Sequence, residues 1–214
     1  MKIVCISDTH GDHEKLTLPA GDVLVHAGDI TAHGTEPDLI QFIDWFATRP
    51  FEYKVLIAGN HDAIMEERPD KVMRLCESKN INYLNDSGVV VNNVRFWGSP
   101  ITPRFFDWSF MRDQGEDIEK HWALIPADTN ILITHGPVWG ILDEVVRSET
   151  VKEHTGCPSL KKRVAEVQPD YHVFGHIHEG YGELKKHGTV FLNVSTMDNG
   201  YRIRNAPVVI DWPE

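Results

Sequence analysis

The first half of the chain alternates short apolar runs with amphipathic stretches. Three apolar runs end in polar or glycine-containing turns, which is the pattern of buried strands, and they are 2–7, 23–26 and 54–58. Two longer stretches begin with proline and repeat apolar residues at helical spacing. They predict helices at 37–49 and 69–79, because proline suits the first turn of a helix.

The rest of the chain continues this alternation. The predicted strands are 89–91 and 94–97, which form a hairpin, and then 130–134, 171–174, 189–194 and 207–211; the predicted helix is 159–167. The segment 99–117 is predicted to be a long irregular loop, and loops of that length are usually functional or mobile. The alternation indicates an α/β protein, most simply two sheets packed together with helices outside. A length of 214 residues predicts one domain over 1–214.

Charge and composition narrow the possible partners and location. The formal net charge is −11 and the basic runs are short, so extended nucleic acid is not an expected partner, although a small nucleotide is compatible. No run approaches the ~20 apolar residues that cross a membrane, so no membrane association is expected. The first residues do not have the pattern of a signal peptide, and the three cysteines are too scattered for a disulfide framework. We therefore expect a cytoplasmic protein; its oligomeric state does not follow from the sequence.

Five of the predicted strands end in aspartate, asparagine or histidine. The motifs are Asp8-Thr9-His10, Gly28-Asp29, Gly59-Asn60-His61-Asp62, His135-Gly136 and Gly175-His176-Ile177-His178. Ligands of α/β sheets bind beyond the carboxyl ends of the strands, so these side chains are expected to converge on one cleft. Each motif alone is compatible with ordinary turn chemistry. All five together, each after an apolar strand, predict a metal site.

The donor types in these motifs restrict the metal. Carboxylate, amide oxygen and imidazole suit Mn, Fe, Zn or Mg, and the set contains no thiolate. Two metals about 3.5–4 Å apart need a shared anionic ligand, and Asp29 is the natural bridge.

The other histidines are predicted to be structural or solvent-exposed. His26 and His172 lie within strand patterns and are expected in the core or at a sheet edge. The histidines in polar loop or helical contexts are expected at the surface, and these are His13, His33, His121, His154 and His187. Asp62 either orients a neighbouring group or belongs to ordinary turn chemistry, and Asn193 either supports the site or is a strand-end amide; the sequence leaves these alternatives open.

In this order, the five motifs resemble the calcineurin-like metallophosphoesterase superfamily, and the resemblance covers essentially the whole chain. Finer stretches resemble the branch of metallophosphoesterase-domain-containing proteins and their bacterial relatives. These stretches are IAGNHD, FFDWSF, ITHGPVWGILD, the pair Gly156-Cys157 and HVFGHIHEGYG.

The resemblance implies a fold and a ligand set. The fold is a four-layered sandwich of two mixed β-sheets flanked by helices. The implied ligands of one metal are Asp8, His10, Asp29 and His178, and those of the second are Asp29, Asn60, His135 and His176. His61 would lie beside the metals without binding them.

These features predict a binuclear metal-dependent phosphoesterase, with Mn as the expected metal. The expected substrate is a small phosphodiester such as a cyclic nucleotide, and His61 is the expected partner of the leaving oxygen. A phosphomonoesterase acting on nucleotides or phosphoproteins is the alternative, and a non-catalytic scaffold is a third reading that the intact ligand set disfavours. Arg104, with neighbouring Phe105, Phe106 and Trp108, is predicted to contact substrate, or else the aromatic residues form a local packing cluster.

Overall fold

The computed structural model of the chain describes residues 1–148 and 151–213. The strands, in chain order, are β1 (Lys2–Ile6), β2 (Val23–Ala27), β3 (Tyr53–Ile57), β4 (Asn82–Tyr83), β5 (Ser87–Val91), β6 (Val94–Ser99), β7 (Thr102–Pro103), β8 (Met111–Arg112), β9 (Ile131–Thr134), β10 (Glu144–Ser148), β11 (Val151–His154), β12 (Tyr171–Phe174), β13 (Gly182–Lys186), β14 (Thr189–Asn193) and β15 (Val208–Asp211). The α-helices are α1 (Glu36–Ala47), α2 (Ala63–Glu67), α3 (Pro69–Ser78), α4 (Glu116–Trp122) and α5 (Pro158–Val167).

Two mixed sheets form the centre of the molecule. The first has the order β15-β1-β2-β3-β4, in which β1 to β4 are parallel and β15 is antiparallel to β1. The second has the order β13-β14-β12-β9-β6-β5. Its four central strands are parallel and its two edge strands are antiparallel to their neighbours. The parallel strands of each sheet therefore direct their carboxyl ends to one edge.

The period-two alternation of strand side chains produces the layers. Ile3 and Cys5 of β1 pack in one apolar cluster with Ile131 and Ile133 of β9, so the two sheets face each other. The intervening residues of β1 belong instead to the cluster that contains the apolar faces of α1, α3, α4 and α5. Helices therefore cover the outer faces of the sheets, and the α/β class and the two mixed, helix-flanked sheets are confirmed.

Most of the predicted elements are present within one or two residues of their expected bounds, whereas several short elements were not predicted. The hairpin β10–β11, strand β13 and helices α2 and α4 had no clear periodic signal. The expected loop 99–117 is partly wrong, because β7 and β8 pair in parallel and α4 begins at Glu116. This segment is anchored from a distance: Glu66 of α2 accepts hydrogen bonds from the Phe110 amide, at 2.7 Å, and from the Arg112 guanidinium. Because Glu66 lies more than forty residues away in the sequence, these contacts produce no pattern within the segment 99–117 itself.

None of the helices in the described part of the chain has both the length and the apolar character needed to cross a membrane.

Candidate metal centre

The predicted ligands converge where strand ends of the two sheets meet. The Asp8 amide donates to the Gly28 carbonyl and the Gly175 amide to the His135 carbonyl, each at 3.0 Å, so the turns after neighbouring strands are tied to each other. Several of these turns use left-handed backbone, with φ of 53° at Asp8, 55° at Asp29 and 67° at His176. Such angles are uncommon for residues other than glycine and concentrate at functional sites.

The possible metal-donor atoms form three overlapping groups. Within each group, the donor atoms lie within 4.8 Å of one another. The groups are Asp8, His10 and His178; His10, Asp29 and His61; and Asp29, His135 and His176. Asn60 joins the third group, because its Oδ1 lies 3.0 Å from His135 Nε2. The structure thus brings together all seven predicted ligands and His61. Asp29 and His10 each belong to two of the three groups, and Asp29 is the carboxylate of the two, as expected of a bridging ligand. His61 is close enough to bind a cation itself, which the sequence reading did not expect.

Two glycines make room for the carboxylates. A Cβ atom at Gly59 would overlap the carboxylate of Asp29, and one at Gly175 would overlap that of Asp8. Glycine is therefore required at both positions for the close approach of the chain to the site.

Mutual electrostatics keep the two aspartates ionised. Burial alone would raise the pKa of Asp8, but His178 and His135 hold it well below its usual range. Burial would likewise raise the pKa of Asp29, but His135 and His10 lower it. Burial would lower the pKa of His135, but Asp29 outweighs it and raises that pKa to about 9. The buried carboxylates thus require positive charge nearby.

The residues fit divalent cations. His10 is buried, and neither of its ring nitrogens has a hydrogen-bond partner among the described residues. A buried imidazole without a partner is uncommon and fits a ligand that a cation would complete. His135 donates from Nδ1 to the Ala27 carbonyl and His178 from Nδ1 to the Asp198 carbonyl, each at 2.9 Å. These bonds leave Nε2 of His135 directed at Asp29 and Nε2 of His178 directed at Asp8. Metal-binding histidines are usually oriented in this way, by a hydrogen bond from the ring nitrogen that does not bind the metal.

Two further polar residues hold the ligand loops. Asp62 is buried and accepts hydrogen bonds from the amides of Gly59, Ile30 and Thr31, so it ties the loop of Asn60 to the loop of Asp29. Burial, together with the charge of Asp29, raises the pKa of Asp62 to about 7. Asn193 donates to the Ile177 carbonyl at 2.8 Å and accepts from the Ser195 amide. Both residues therefore combine the alternatives that the sequence left open: each makes a local bond within its own turn or strand end, and each also positions backbone that carries the ligands.

A cavity of about 660 Å³ opens above this cluster. Aromatic residues line it, and several contact the histidines: the rings of Phe105 and His176 are 5.5 Å apart and those of Trp108 and His61 are 4.2 Å apart. The predicted aromatic segment therefore both packs locally and walls the cavity. Arg104 also lines the cavity, but its guanidinium is paired with Asp113 at 2.8 Å and with Asp107 at 3.3 Å.

Sequence reasoning missed Tyr201 and misplaced two histidines. Tyr201 lies in a turn near the end of the chain, with its ring 5.1 Å from those of both His10 and His178, and no local motif marks it. The surface predictions for His13 and His121 are wrong. His13 is buried against Phe42 and Trp45, and His121 is mostly buried, with Nδ1 2.6 Å from Asp86.

The predictions for His26 and His172 are confirmed. Both are buried, and each places Nε2 within hydrogen-bond distance of a threonine hydroxyl, that of Thr9 at 3.0 Å and that of Thr134 at 2.8 Å. Burial lowers the pKa of both to about 3, so both are neutral.

Comparisons with known proteins identify relatives of this chain. Human metallophosphoesterase domain-containing protein 1 is 38% identical over 236 residues, which are 99% of this chain and 71% of that protein. A UPF0046 protein of Caenorhabditis elegans is 37% identical over 226 residues, 100% of this chain and 76% of its own length. The solved structure of a phosphopantetheinyl hydrolase from Mycobacterium tuberculosis shares the fold with a TM-score of 0.64 at 15% identity, covering 94% of this chain and 90% of that one.

The family of this chain is identified by a match to a family model. Residues 1–180 match the family described as Calcineurin-like phosphoesterase, and this range contains every residue of the three donor groups. The chain belongs to the calcineurin-like phosphoesterase family and is a metal-dependent phosphoric ester hydrolase.

Proposed function

We propose that this protein is a binuclear phosphodiesterase that hydrolyses a small diester, such as a cyclic nucleotide, with Mn as the working metal. One observation carries the preference for a diester. The cavity above the donor cluster is walled by aromatic rings, and Arg104, the one arginine or lysine among its described lining residues, is already ion-paired. A diester carries one negative charge and a monoester nearly two at neutral pH, so only the monoester needs a second cationic anchor.

The proposed ligand sets are built from the first and third donor groups, with Asp29 shared between them and Asn60 added to the second set. Asp8, His10, Asp29 and His178 would hold one cation, and Asp29, Asn60, His135 and His176 the other. Two divalent cations, when bound, lower the pKa of water towards neutrality and offset the charge of the phosphoryl oxygens. The protein keeps Asp8 and Asp29 ionised for this purpose and uses carbonyl contacts to aim the imidazoles of His135 and His178.

His61 is the proposed partner of the leaving oxygen. Its amide donates to Asp29 at 2.8 Å, and its ring packs 4.5 Å from His10 and 4.2 Å from Trp108. The ring therefore lies between the donor cluster and the aromatic wall, where a departing alkoxide would receive a proton or a hydrogen bond.

Two measurements test this proposal. Hydrolysis of bis(nitrophenyl) phosphate should stop in excess chelator and return with added Mn. At equal Mn concentration, kcat/KM for the diester should exceed that for nitrophenyl phosphate. Full activity with a demonstrably empty site would refute the metal assignment. A monoester preference of about tenfold or more, which is 1.4 kcal/mol, would favour the phosphomonoesterase alternative.

A further inference from the structure

One proposed ligand of the metal centre lacks the hydrogen bond that usually orients such a residue. A metal-binding histidine almost always donates a hydrogen bond from the ring nitrogen that does not bind the metal. His135 and His178 each form such a bond to a backbone carbonyl. In His10 both ring nitrogens are buried, and neither has a hydrogen-bond partner among the described residues. Whichever nitrogen of His10 binds a cation, the other therefore does not fix the ring in the usual way.

Aromatic packing surrounds His10 instead. Its ring centroid lies 4.5 Å from that of His61, 5.1 Å from that of Tyr201 and 5.5 Å from that of His178. His178 is itself a proposed ligand, and His61 is the proposed partner of the leaving oxygen. Tyr201 is the one of these three that has neither role.

The ring of Tyr201 packs against two imidazoles at once. Its centroid lies 5.1 Å from that of His178 as well as 5.1 Å from that of His10. Both contacts are T-shaped, with interplanar angles of 64° and 68°, which is one of the arrangements that aromatic pairs prefer. One side chain thus contacts two histidines that are proposed to bind the same cation.

The backbone around Tyr201 is constrained to hold the ring there. Its φ is 55°, a left-handed value that is an outlier for a bulky residue and persists only where the surrounding structure fixes it. Asp198 fixes this turn: its carbonyl accepts a hydrogen bond from the Tyr201 amide at 3.0 Å. Its Oδ1 accepts from the amides of Gly200 at 2.8 Å and Arg202 at 3.1 Å, and its Oδ2 pairs with the Arg202 guanidinium at 2.8 Å.

The same turn is joined to the metal centre. The Asp198 carbonyl accepts hydrogen bonds both from the Tyr201 amide and from His178 Nδ1, the latter at 2.9 Å. One backbone group therefore positions the ring of Tyr201 and the imidazole of His178 relative to each other. The turn lies beyond residues 1–180, the part of the chain that matches the family model.

We propose that Tyr201 is a positioning residue of the metal centre, whose ring orients His10 and His178 by packing and so replaces the hydrogen bond that His10 lacks. The ring carries this role, rather than the phenol hydroxyl, because both contacts are between rings. The inference rests on the proposed function, since it takes His10 and His178 as ligands of one cation. It assigns part of the affinity for that cation to a residue that does not bind it.

The test measures Mn binding directly, so that it does not depend on turnover. The metal-free protein is titrated with Mn²⁺ by calorimetry, which separates the affinities of the two cations. Tyr201→Ala should weaken one of the two affinities by about 10–100-fold, the usual loss when the outer partner of a metal ligand is removed, and leave the other unchanged. Tyr201→Phe keeps the ring and should retain both affinities. Tyr201 is 55% exposed, so the fold should be retained in both variants.

Phe106→Ala is the matched control. Phe106 is another exposed aromatic residue of the cavity lining, and its ring lies 5.2 Å from that of Phe105. This variant should retain both Mn affinities.

Three results would overturn the inference. Unchanged affinities in Tyr201→Ala, with a raised KM for the diester, would make Tyr201 a substrate contact only. Equal losses in Tyr201→Ala and Tyr201→Phe would show that the hydroxyl carries the effect. An equal loss at both cations would indicate a general disturbance of the fold.

His10→Ala and hydrolysis of bis(nitrophenyl) phosphate by the same preparations separate the two proposals. His10→Ala should weaken one Mn affinity at least as much as Tyr201→Ala does, and if it weakens neither, the proposed ligand set fails. If His10→Ala weakens one affinity and Tyr201→Ala weakens none, the inference about Tyr201 alone fails. If Tyr201→Ala behaves as expected but the wild type does not hydrolyse the diester with Mn, the proposed function alone fails.

Discussion

The base and the rim of the cavity are held in place by different kinds of interaction. The base consists of the seven proposed ligands: Asp8, His10, Asp29, Asn60, His135, His176 and His178. Backbone hydrogen bonds between neighbouring strand ends position it, and its carboxylates are buried. The rim consists of Phe105, Phe106, Trp108 and Tyr201. These side chains are exposed, and the segment that carries the first three is anchored through Glu66 of α2.

This difference indicates a division of roles, in which the base supports the reaction and the rim selects the substrate. The register of the sheets fixes the geometry of the base, so its donor atoms are preorganised. The rim depends on side-chain contacts between distant segments, so it can change without disturbing the sheets. We therefore expect substitutions in the base to abolish metal binding and chemistry, and substitutions at the rim, apart from Tyr201, to alter substrate preference. The following predictions test that division, from the largest expected effect to the smallest.

Removal of the shared carboxylate should have the largest effect. Asp29 belongs to two donor groups, whereas His178 belongs to one. Metal analysis after dialysis should find a fall from about two metals per chain to nearly none in Asp29→Ala, and to about one in His178→Ala. Phe106→Ala, a rim control that is 66% exposed, should retain both metals. Equal metal content in all three variants and the wild type would contradict the ligand assignment.

His61→Ala should separate metal binding from chemistry. We expect metal content to remain near two per chain while turnover falls by about 10²–10⁴-fold, the usual scale of acid–base catalysis. The loss should shrink for diesters with good leaving groups such as nitrophenolate, which need little protonation. A loss that does not vary with the pKa of the leaving group would exclude this role. Loss of one metal would instead make His61 a ligand, as its distance to His10 and Asp29 permits.

Beneath the base, His172 should make stability depend on pH. Burial lowers its pKa to about 3, below the unfolded value near 6.5, so at pH values between these the unfolded chain binds a proton that the native protein does not. Stability is therefore lost as pH falls from about 6.5 towards 3, by about 1.4 kcal/mol per pH unit for this group. His172→Gln, which can still bond Thr134, should reduce the slope of the free energy of unfolding against pH by that amount. His187→Gln, at an exposed position, should not change the slope.

Arg104→Gln should have the smallest effect. Its guanidinium is exposed and paired with Asp107 and Asp113, and such surface pairs contribute about 0–1 kcal/mol. We expect kcat/KM for the diester to change by less than about fivefold, or about 1 kcal/mol, because the guanidinium is engaged by its own carboxylates rather than by the substrate. A selective rise of tenfold or more in KM for the monoester would show that Arg104 leaves its partners to anchor a dianion.

Much of the fold and of the base could be predicted from local patterns. The strand at 171–174 is found at its predicted bounds, and its neighbours deviate by one or two residues, because apolar runs between glycine-rich turns are local signals. The position of Tyr201 could not be predicted in this way, because it meets His10 across 191 residues of sequence. His13 follows the ligand His10 in a polar stretch, and only packing against α1 buries it.

What the sequence determined by itself is the chemistry of the base. Apolar strands that each end in a donor residue bring these donors to one edge of their own sheet when the strands are parallel, and the donor types select hard or borderline divalent cations. What only the tertiary structure decided is the environment of that chemistry: that Arg104 is neutralised, that Tyr201 packs against His10 and His178, and that Asp62 and Asn193 brace the ligand loops. The physical reason is the separation in sequence between the residues that interact. Strand formation and turn conformation depend on neighbours in sequence, whereas ion pairing, burial and cavity shape depend on segments that meet only after the sheets have packed.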